Sequence, residues 1–282
     1  MEARGIALVT GASRGIGRGV AIELARRGFD TVATMRDPHP GDPLAEEAAD
    51  GTGSLRVERL DVTAPATFEP PAGLRVLVNN AGVEAPHPAF EDTPLELWRD
   101  MYETNVFGLI EVTRRAIPAL RMSGGGVLCN VTSSSILAPV PFYGPYRSSK
   151  AAVSALGESL RTELAPFGIR VLEIMPGPIL TDMLTSSADP PAAIGRAEYR
   201  PMAERAHASR RNVDAMVTPV AEAARAIVDA ILDDDAPLRV GCDPLSVGML
   251  DAWRQQADEA FQGSMLPTWV GDQQEIGQNK QA

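Results

Sequence analysis

Tyr146 and Lys150 are the residues of this sequence whose types and spacing point most directly to chemistry. Four positions apart on a helix, their side chains share one face and lean back toward the helix N-terminus. Gly144 and Pro145 suit a helix entry, which puts Tyr146 in the first turn, where the helix dipole favours an anion. A free phenol titrates near pH 10, so one that works as a base at neutral pH needs a neighbouring cation, and Lys150 would supply it. Ser133 stands thirteen residues earlier, just past an apolar run, where its hydroxyl can reach the same pocket and donate to a developing alkoxide. Ser134 and Ser135 compete for that role by composition, and the whole serine run also reads as a plain turn. Tyr143 is not a second candidate for the acid/base pair, because the residue four positions on is Arg147. A packed surface pair is the alternative reading of any tyrosine and lysine spaced by four.

The basic residues sharpen the choice. Of 26 lysines and arginines only Lys150 and Lys280 are lysine, and Lys280 falls in a polar terminal stretch. A chain that uses arginine almost everywhere has kept a compact ammonium at position 150, where a planar guanidinium would not substitute. Codon bias that removed most lysines would leave the same trace by chance. The formal net charge of -11 argues against broad nucleic-acid affinity, so an anionic ligand must meet a local positive site.

Such a site is offered by Thr10-Gly11-Ala12-Ser13-Arg14-Gly15-Ile16-Gly17, which joins a strand-like run to an amphipathic stretch containing Val20, Ile22 and Leu24. A glycine turn ahead of a helix lets backbone N–H groups and the helix dipole approach a pyrophosphate. The spacing is Gly-x3-Gly-x-Gly, and an ordinary strand-to-helix turn is its bland counterpart. An acidic residue at the end of the second strand would hold a ribose hydroxyl, whereas arginine suits a 2'-phosphate. Here the strand ends Thr34-Met35-Arg36, and Arg36 with Arg14 could clamp one phosphate dianion, which points to NADP(H). The competing reading gives the ribose to Asp37 and leaves Arg36 in solvent.

These residues require a scaffold, and the hydropathy pattern supplies one. Seven strand-length apolar runs alternate with helix-period segments, near Gly5–Thr10, Asp30–Met35, Leu55–Leu60, Arg75–Asn79, Gly126–Val131, Ile169–Met175 and Leu238–Cys242. Most lack period-2 alternation, as expected of strands covered on both faces. Long helices are predicted over Leu95–Met122 and Pro145–Leu164, the former with Trp98, Tyr102, Val106, Leu109, Val112 and Ala116 on one face. The fold class is therefore α/β, a Rossmann-like doubly wound parallel sheet of about seven strands with helices on both faces. A single domain is expected over 1–271, with a substrate lid at 183–217, a C-terminal extension at 244–271 and a polar tail at 272–282. Trp253, Phe261, Met265 and Trp269 in the extension must be buried somewhere. Pro, Gly or charge interrupts every apolar run before the roughly 18 residues a membrane span needs. With no leader-like start and two cysteines, Cys129 and Cys242, in strand-like runs, a soluble cytoplasmic protein is expected. His39, His87 and His207 lack metal-ligand spacing, so no metal is assigned.

In order along the chain stand Thr10 to Gly17, Asp61-Val62, Asn79-Asn80-Ala81-Gly82, Asn105, Ser133, Tyr146-x3-Lys150, and Pro176-Gly177 with Thr181. This series resembles the single-domain short-chain dehydrogenase/reductase family, over nearly the whole chain to about Asp243. The resemblance selects Ser133 from the serine run and implies that Asn105 holds a water relaying protons to Lys150. It implies that Gly11, Ser13, Arg14, Gly15, Ile16 and Gly17 bind pyrophosphate, Asp61 and Val62 the adenine, and Asn80, Ala81 and Gly82 the ribose. Pro176, Gly177, Ile179 and Thr181 would position the nicotinamide carboxamide. Hydride would then pass between nicotinamide and a carbonyl carbon, with Tyr146 exchanging the proton and Lys150 lowering its pKa and binding ribose.

Residues expected to line the substrate pocket are Ser133, Ile136, Leu137, Phe142, Tyr143, Tyr146, Leu180, Met183 and Leu184, with Ile179; most are apolar and favour a hydrophobic ketone or secondary alcohol. The run Val32 to Asp37 and the Pro141-Phe142 approach are similar to hydroxysteroid and retinol dehydrogenases, which is analogy alone. Two other readings stand beside this one: a dinucleotide-binding redox sensor without turnover, and a sugar-nucleotide epimerase or dehydratase, which shares the Tyr-x3-Lys pair. The broad helix faces are those of a homodimer or homotetramer, or of packing within one domain.

Overall fold

A computed structural model describes residues 1–39, 42–66, 68–84, 86–186, 189–213 and 216–270. Seven parallel strands form one sheet in the order β3-β2-β1-β4-β5-β6-β7. They are β1 (Ile6–Val9), β2 (Asp30–Met35), β3 (Ser54–Arg59), β4 (Leu74–Asn79), β5 (Gly126–Val131), β6 (Ile169–Ile174) and β7 (Arg239–Val240). All seven expected runs are strands, with no end shifted by more than two residues. The last is the shortest, an edge strand that meets β6 only at Glu173 and Ile174.

Successive strand residues face opposite sides, so β1 feeds two cores. Ala7 and Val9 join Val20 and Leu24 of α1 (Gly15–Arg27) and Ile227 and Ile231 of a later helix (Val220–Leu232) on one side of the sheet. Leu8 joins Val112, Leu120 and Leu160 on the other. Both faces being dry, the strands read as unbroken apolar runs. The strand order reverses beside β1, between β1 and β4, and the crevice at their carboxyl ends is where ligands bind in such sheets.

The Pro/Gly-rich connection after β2 contains one short helix, α2 (Leu44–Glu47). The expected helix over Leu95–Met122 is α3 (Leu95–Tyr102) and α4 (Leu109–Met122), joined without a break by a π-helical turn, Glu103–Gly108, that contains Asn105. The next long helix, α5 (Gly144–Leu164), carries Tyr146 and Lys150. The segment expected to be a substrate lid holds α6 (Asp182–Ser186), a 3-10 turn (Ala192–Gly195) and α7 (Arg200–Val213). After α8 (Val220–Leu232) the described residues continue through α9 (Pro244–Gln255) to α10 (Asp258–Val270). Phe261 is buried against Leu137, Met175 and Leu250, with Trp253 and Met265 packed on that cluster. The polar tail expected at 272–282 lies outside the described residues. Both cysteines are buried and free, and burial pushes the Cys129 thiol up to about 12. Among the described residues no helix is long and apolar enough to cross a membrane.

One buried charge ties strands to helix near the site. Glu173 of β6, fully buried, accepts hydrogen bonds from Thr132 (2.9 Å), Ser154 of α5 (2.8 Å) and Arg239 of β7 (3.1 Å).

Candidate active site

The carboxyl ends of the strands open onto a cleft of about 750 Å³. At its floor is the glycine turn. Gly11 adopts φ +67°, and a Cβ there would lie 2.8 Å from the Cα of Ala81. Thr10 Oγ1 accepts from the backbone N–H groups of Asn80 (3.0 Å) and Ala81 (3.1 Å), while Asn80 Nδ2 donates to the carbonyls of Thr10 and Gly11. The turn after β1 and the turn after β4 are thereby locked together. Among the described residues no side chain caps the N-terminus of α1, whose first N–H groups belong to the turn. Gly11, Ser13, Arg14, Gly15 and Ile16 all line the cleft. Gly17 does not: a Cβ there would stand 2.4 Å from the Gly11 carbonyl oxygen, so its part is to let helix and turn approach.

Further along the cleft lie Arg36, Asp61 and Val62, then Ala81 and Gly82. The Arg36 guanidinium is paired with Asp37 at 3.3 Å and Arg14 with Asp182 at 3.8 Å, and in both pairs the side chains are about three-quarters exposed. Exposed pairs of this kind are worth little and yield to a stronger anion. Hydrogen bonds from the Thr63 hydroxyl and backbone hold the Asp61 carboxyl below its usual range. Opposite, Pro176, Gly177, Ile179 and Thr181 form the wall after β6.

The reacting groups meet at the centre. Tyr146 is half-buried, and desolvation of its phenol followed by the negative charge of Glu84 raises it above the ordinary value; a hydrogen bond with Ser133 acts the other way. Lys150 Nζ donates to the Val131 carbonyl at 3.0 Å and lies 5.8 Å from the centre of the Tyr146 ring. Burial brings its ammonium down to about 8, with Glu84 opposing the shift. Ser133 Oγ also donates to Ser135 Oγ at 2.9 Å and accepts from the Ser135 N–H. The serine turn lies beside Tyr146, and of its three hydroxyls that of Ser133 bonds the phenol.

Asn105 sits behind the cleft wall and not in it. Its amide accepts from the Val83 N–H (2.8 Å) and donates to the Val83 carbonyl and to Ser149 Oγ, both at 3.0 Å. Ser149 Oγ in turn donates to the Tyr146 carbonyl at 2.8 Å. The π-helical turn thus presents Asn105 as a clamp between the loop after β4 and the first turn of α5.

Four expected pocket residues lie elsewhere. Ile136 and Leu137 turn away beneath α9 and α10, where Leu137 is buried with Phe261. Phe142, at φ +67°, packs with Ala193, Ala203 and Tyr199. Leu180 is 61% exposed on the outer side of its turn. Tyr143, Met183 and Leu184 do line the cleft, as do Ser133 and Tyr146.

Other lining residues were not expected in the pocket from the sequence. Glu84, His87 and Arg210 face the cleft, and Met265 and Trp269 of α10 close one side. Asp243 stands behind Gly177, whose N–H it accepts at 2.7 Å while its other oxygen accepts from Ser246 to cap α9. The Asp-Pro-x-Ser pattern at 243–246 is a legible helix-start signal; its second task at Gly177 is a long-range contact that no local pattern carries.

A family model described as short chain dehydrogenase matches residues 5–191. The chain is 42% identical over 194 residues to an oxidoreductase of Bacillus subtilis (strain 168) named as uncharacterized, the match covering 64% of this chain and 68% of that protein. It is 33% identical over 192 residues to the 7alpha-hydroxysteroid dehydrogenase of Escherichia coli (strain K12), covering 65% and 74%. A short-chain dehydrogenase structure from Streptomyces avermitilis superposes with a TM-score of 0.71 at 28% identity over 90% of this chain and 95% of that one. A Burkholderia cenocepacia short chain dehydrogenase in complex with NADP gives 0.67 at 27% identity, over 92% and 98%. The family model spans more than half of the sequence, and the chain belongs to the short chain dehydrogenase family, oxidoreductases acting on CH–OH and C=O groups.

Proposed function

We propose that the protein is an NADP(H)-dependent oxidoreductase that interconverts a hydrophobic ketone and the corresponding secondary alcohol, with Tyr146 as the proton-exchanging residue. The observation that carries this reading is the meeting of Ser133, Tyr146 and Lys150 in the same cleft as the glycine turn. The cradle suits a dinucleotide: Gly15 packs so that a Cβ would lie 3.1 Å from Thr181 Cγ2, and one on Gly82 would lie 3.3 Å from Lys150 Nζ. Side chains at these positions would fill the space along which a flat, extended ligand must lie. NADP(H) in place supplies or accepts the hydride at nicotinamide.

The residues of the chain do the rest. The α1 N-terminus and turn backbone receive pyrophosphate. Arg14 and Arg36 replace their exposed carboxylate partners with the 2'-phosphate, and the Burkholderia relative's bound NADP supports that choice over NAD. Ser133 donates to the substrate oxygen, and Tyr146, held protonated by burial, gives its proton to the oxygen in the reductive direction. Lys150, fixed by the Val131 carbonyl, places a cation next to the phenol and steadies the charge left behind. Asn105 is a positioning residue that acts on the Tyr146 turn through Ser149. Ile179, Met183 and Leu184, with Met265 from α10, provide the apolar wall for the substrate, and α6 and α7 form its lid. A cytoplasmic homodimer or homotetramer is the assembly proposed, with Ile110 and Met122 the large apolar residues that α4 exposes.

The deciding experiment is fluorescence titration with NADPH and NADH, followed by a spectrophotometric screen of apolar ketones with the tighter-binding cofactor. Oxidation of NADPH that depends on a ketone is expected. Tight dinucleotide binding with no turnover on any carbonyl would overturn the reading in favour of a sensor.

A further inference from the structure

Beside the reacting tyrosine the cleft holds a second polar constellation, assembled from three separate parts of the chain. Glu84 and His87 come from the loop after β4, Tyr143 from the residue just before α5, and Arg210 from α7. His87 Nε2 lies 3.0 Å from Glu84 Oε1, and its ring stacks on Tyr143 with centres 3.8 Å apart and planes within 12°. The Tyr143 hydroxyl donates to the Glu84 carboxylate and accepts from Arg210 Nη1. The ring of Tyr143 stands edge-on to that of Tyr146, with centres 6.3 Å apart. Glu84 is also close enough to act electrostatically on both Tyr146 and Lys150.

A carboxylate is an expensive group to place in such a wall. The Glu84 side chain is 12% exposed, and taking a charge that far out of water costs several kcal/mol unless donors replace the solvent. His87 and Tyr143 are two such donors. A carboxylate offers about four acceptor directions on its two oxygens, so donors from a ligand have room beside them. Arg210, relayed through the Tyr143 hydroxyl, offsets only part of the charge, which leaves the site a strong hydrogen-bond acceptor with a net negative field. A neutral hydroxyl fits that description. A carboxylate or phosphate on the substrate would face Glu84 at close range and be repelled.

We propose that Glu84 is a specificity-determining residue that accepts a hydrogen bond from a second hydroxyl of the substrate, so that the enzyme prefers hydroxy ketones over plain ketones of the same skeleton. The inference rests on the ketone-reductase reading above. Stacked His87 and Tyr143 keep the carboxylate oriented, and Arg210 brings the lid helix into the same network. The apolar wall receives the skeleton, Tyr146 the carbonyl oxygen, and Glu84 the distal hydroxyl.

The test compares matched pairs, cyclohexanone with 4-hydroxycyclohexanone and 2-decalone with its ring-hydroxylated analogues, in wild type, Glu84→Ala and Glu84→Gln, with NADPH. Wild type is expected to favour the hydroxylated member by about tenfold or more in kcat/KM. In Glu84→Ala that ratio should collapse toward one, mainly through KM, while Glu84→Gln, whose amide oxygen still accepts, should keep part of it. The ratio is internal to each variant, so a general loss of activity does not mimic the effect. NADPH fluorescence titration confirms that each variant is folded. Turnover of both ketones with equal kcat/KM in wild type, or an unchanged ratio in Glu84→Ala, would overturn this inference alone. Absence of NADPH oxidation with every ketone would overturn the reductase reading and this one with it.

Discussion

Lys150 Nζ donates to the backbone carbonyl of Val131, the last residue of β5, at 3.0 Å. A lysine on a helix is thus fixed by the sheet that the helix covers, in a space where Gly82 is the neighbour because a Cβ would come within 3.3 Å. Burial brings the ammonium down to about 8 from its ordinary value. The cationic form therefore dominates below that pH and is lost above it. Reductive kcat/KM should fall as pH rises through about 8 if the cation is needed beside Tyr146. Initial rates from about pH 6 to about pH 10 measure this. In Lys150→Met the limb should vanish together with roughly 10²-fold or more of the rate; a wild-type profile flat to high pH would remove Lys150 from the mechanism.

Tyr146→Phe deletes the proton-bearing oxygen and leaves the ring. Turnover should drop by about 10²–10⁴-fold. NADPH affinity should stay within about twofold, because the cradle is built from the glycine turn and the wall after β6. Single-turnover kinetics and fluorescence titration separate the two effects, and retention of near wild-type turnover would assign the proton to another group.

Strands, helices and the dinucleotide turn were legible because each is written in local patterns. Ile6 to Val9 is apolar throughout since both sheet faces are covered, and Gly11 to Gly17 marks a turn whose close approaches leave no room for a Cβ on Gly11 or Gly17. The pocket was less legible. Ile136, Leu137 and Phe142 lie between Ser133 and Tyr146 and looked like neighbours of the chemistry, yet chain proximity does not fix which way a side chain turns. The C-terminal helices gave Leu137 an apolar cluster to join, and the positive φ of Phe142 sends it toward Tyr199. Glu84, His87 and Arg210 were passed over because contacts separated by more than fifty residues, such as His87 with Tyr143, leave no periodicity to find. Arg210 belongs to a helix hidden in a segment of weak hydropathy pattern.

Gly17 makes the sharpest backbone prediction. In Gly17→Ala the new Cβ would meet the Gly11 oxygen at 2.4 Å and Asn80 Nδ2 at 2.3 Å, so the lock between the two turns must open. Overpacking of this order costs about 1–3 kcal/mol, and NADPH binding should be lost with it. Gly263→Ala, in α10 with open space around it, is the contrast: it should hold or raise the melting temperature. Equal thermal shifts for the two would refute the packing argument.

Arg14 and Arg36 should discriminate between cofactors and not between substrates. Each side chain is exposed and, among the described residues, paired with a carboxylate on the surface, so removal should leave the fold intact. Arg36→Ala and Arg14→Ala are each expected to weaken NADPH about tenfold and leave NADH within about twofold. A parallel loss of both cofactors would mean that the arginines serve the pyrophosphate, and an unchanged NADPH affinity would return the ribose to Asp37.

Glu173 and Arg239 link stability to the same site. The carboxylate is buried beneath Thr132, the residue before Ser133, and its charge is met by Arg239 at 3.1 Å from the edge strand. Arg239→Met leaves that charge with two hydroxyl donors and no cation, a loss of about 3–5 kcal/mol. Denaturant unfolding should show a lower midpoint with an unchanged slope. Adding Glu173→Gln removes the stranded charge; its one amide oxygen accepts from either Thr132 or Ser154, and the other hydroxyl, free to rotate, accepts from the amide NH2, so the double variant should recover most of the stability that Arg239→Met loses. If the two losses simply add, the pair is not coupled, and β7 is held by its backbone pairing with β6 alone.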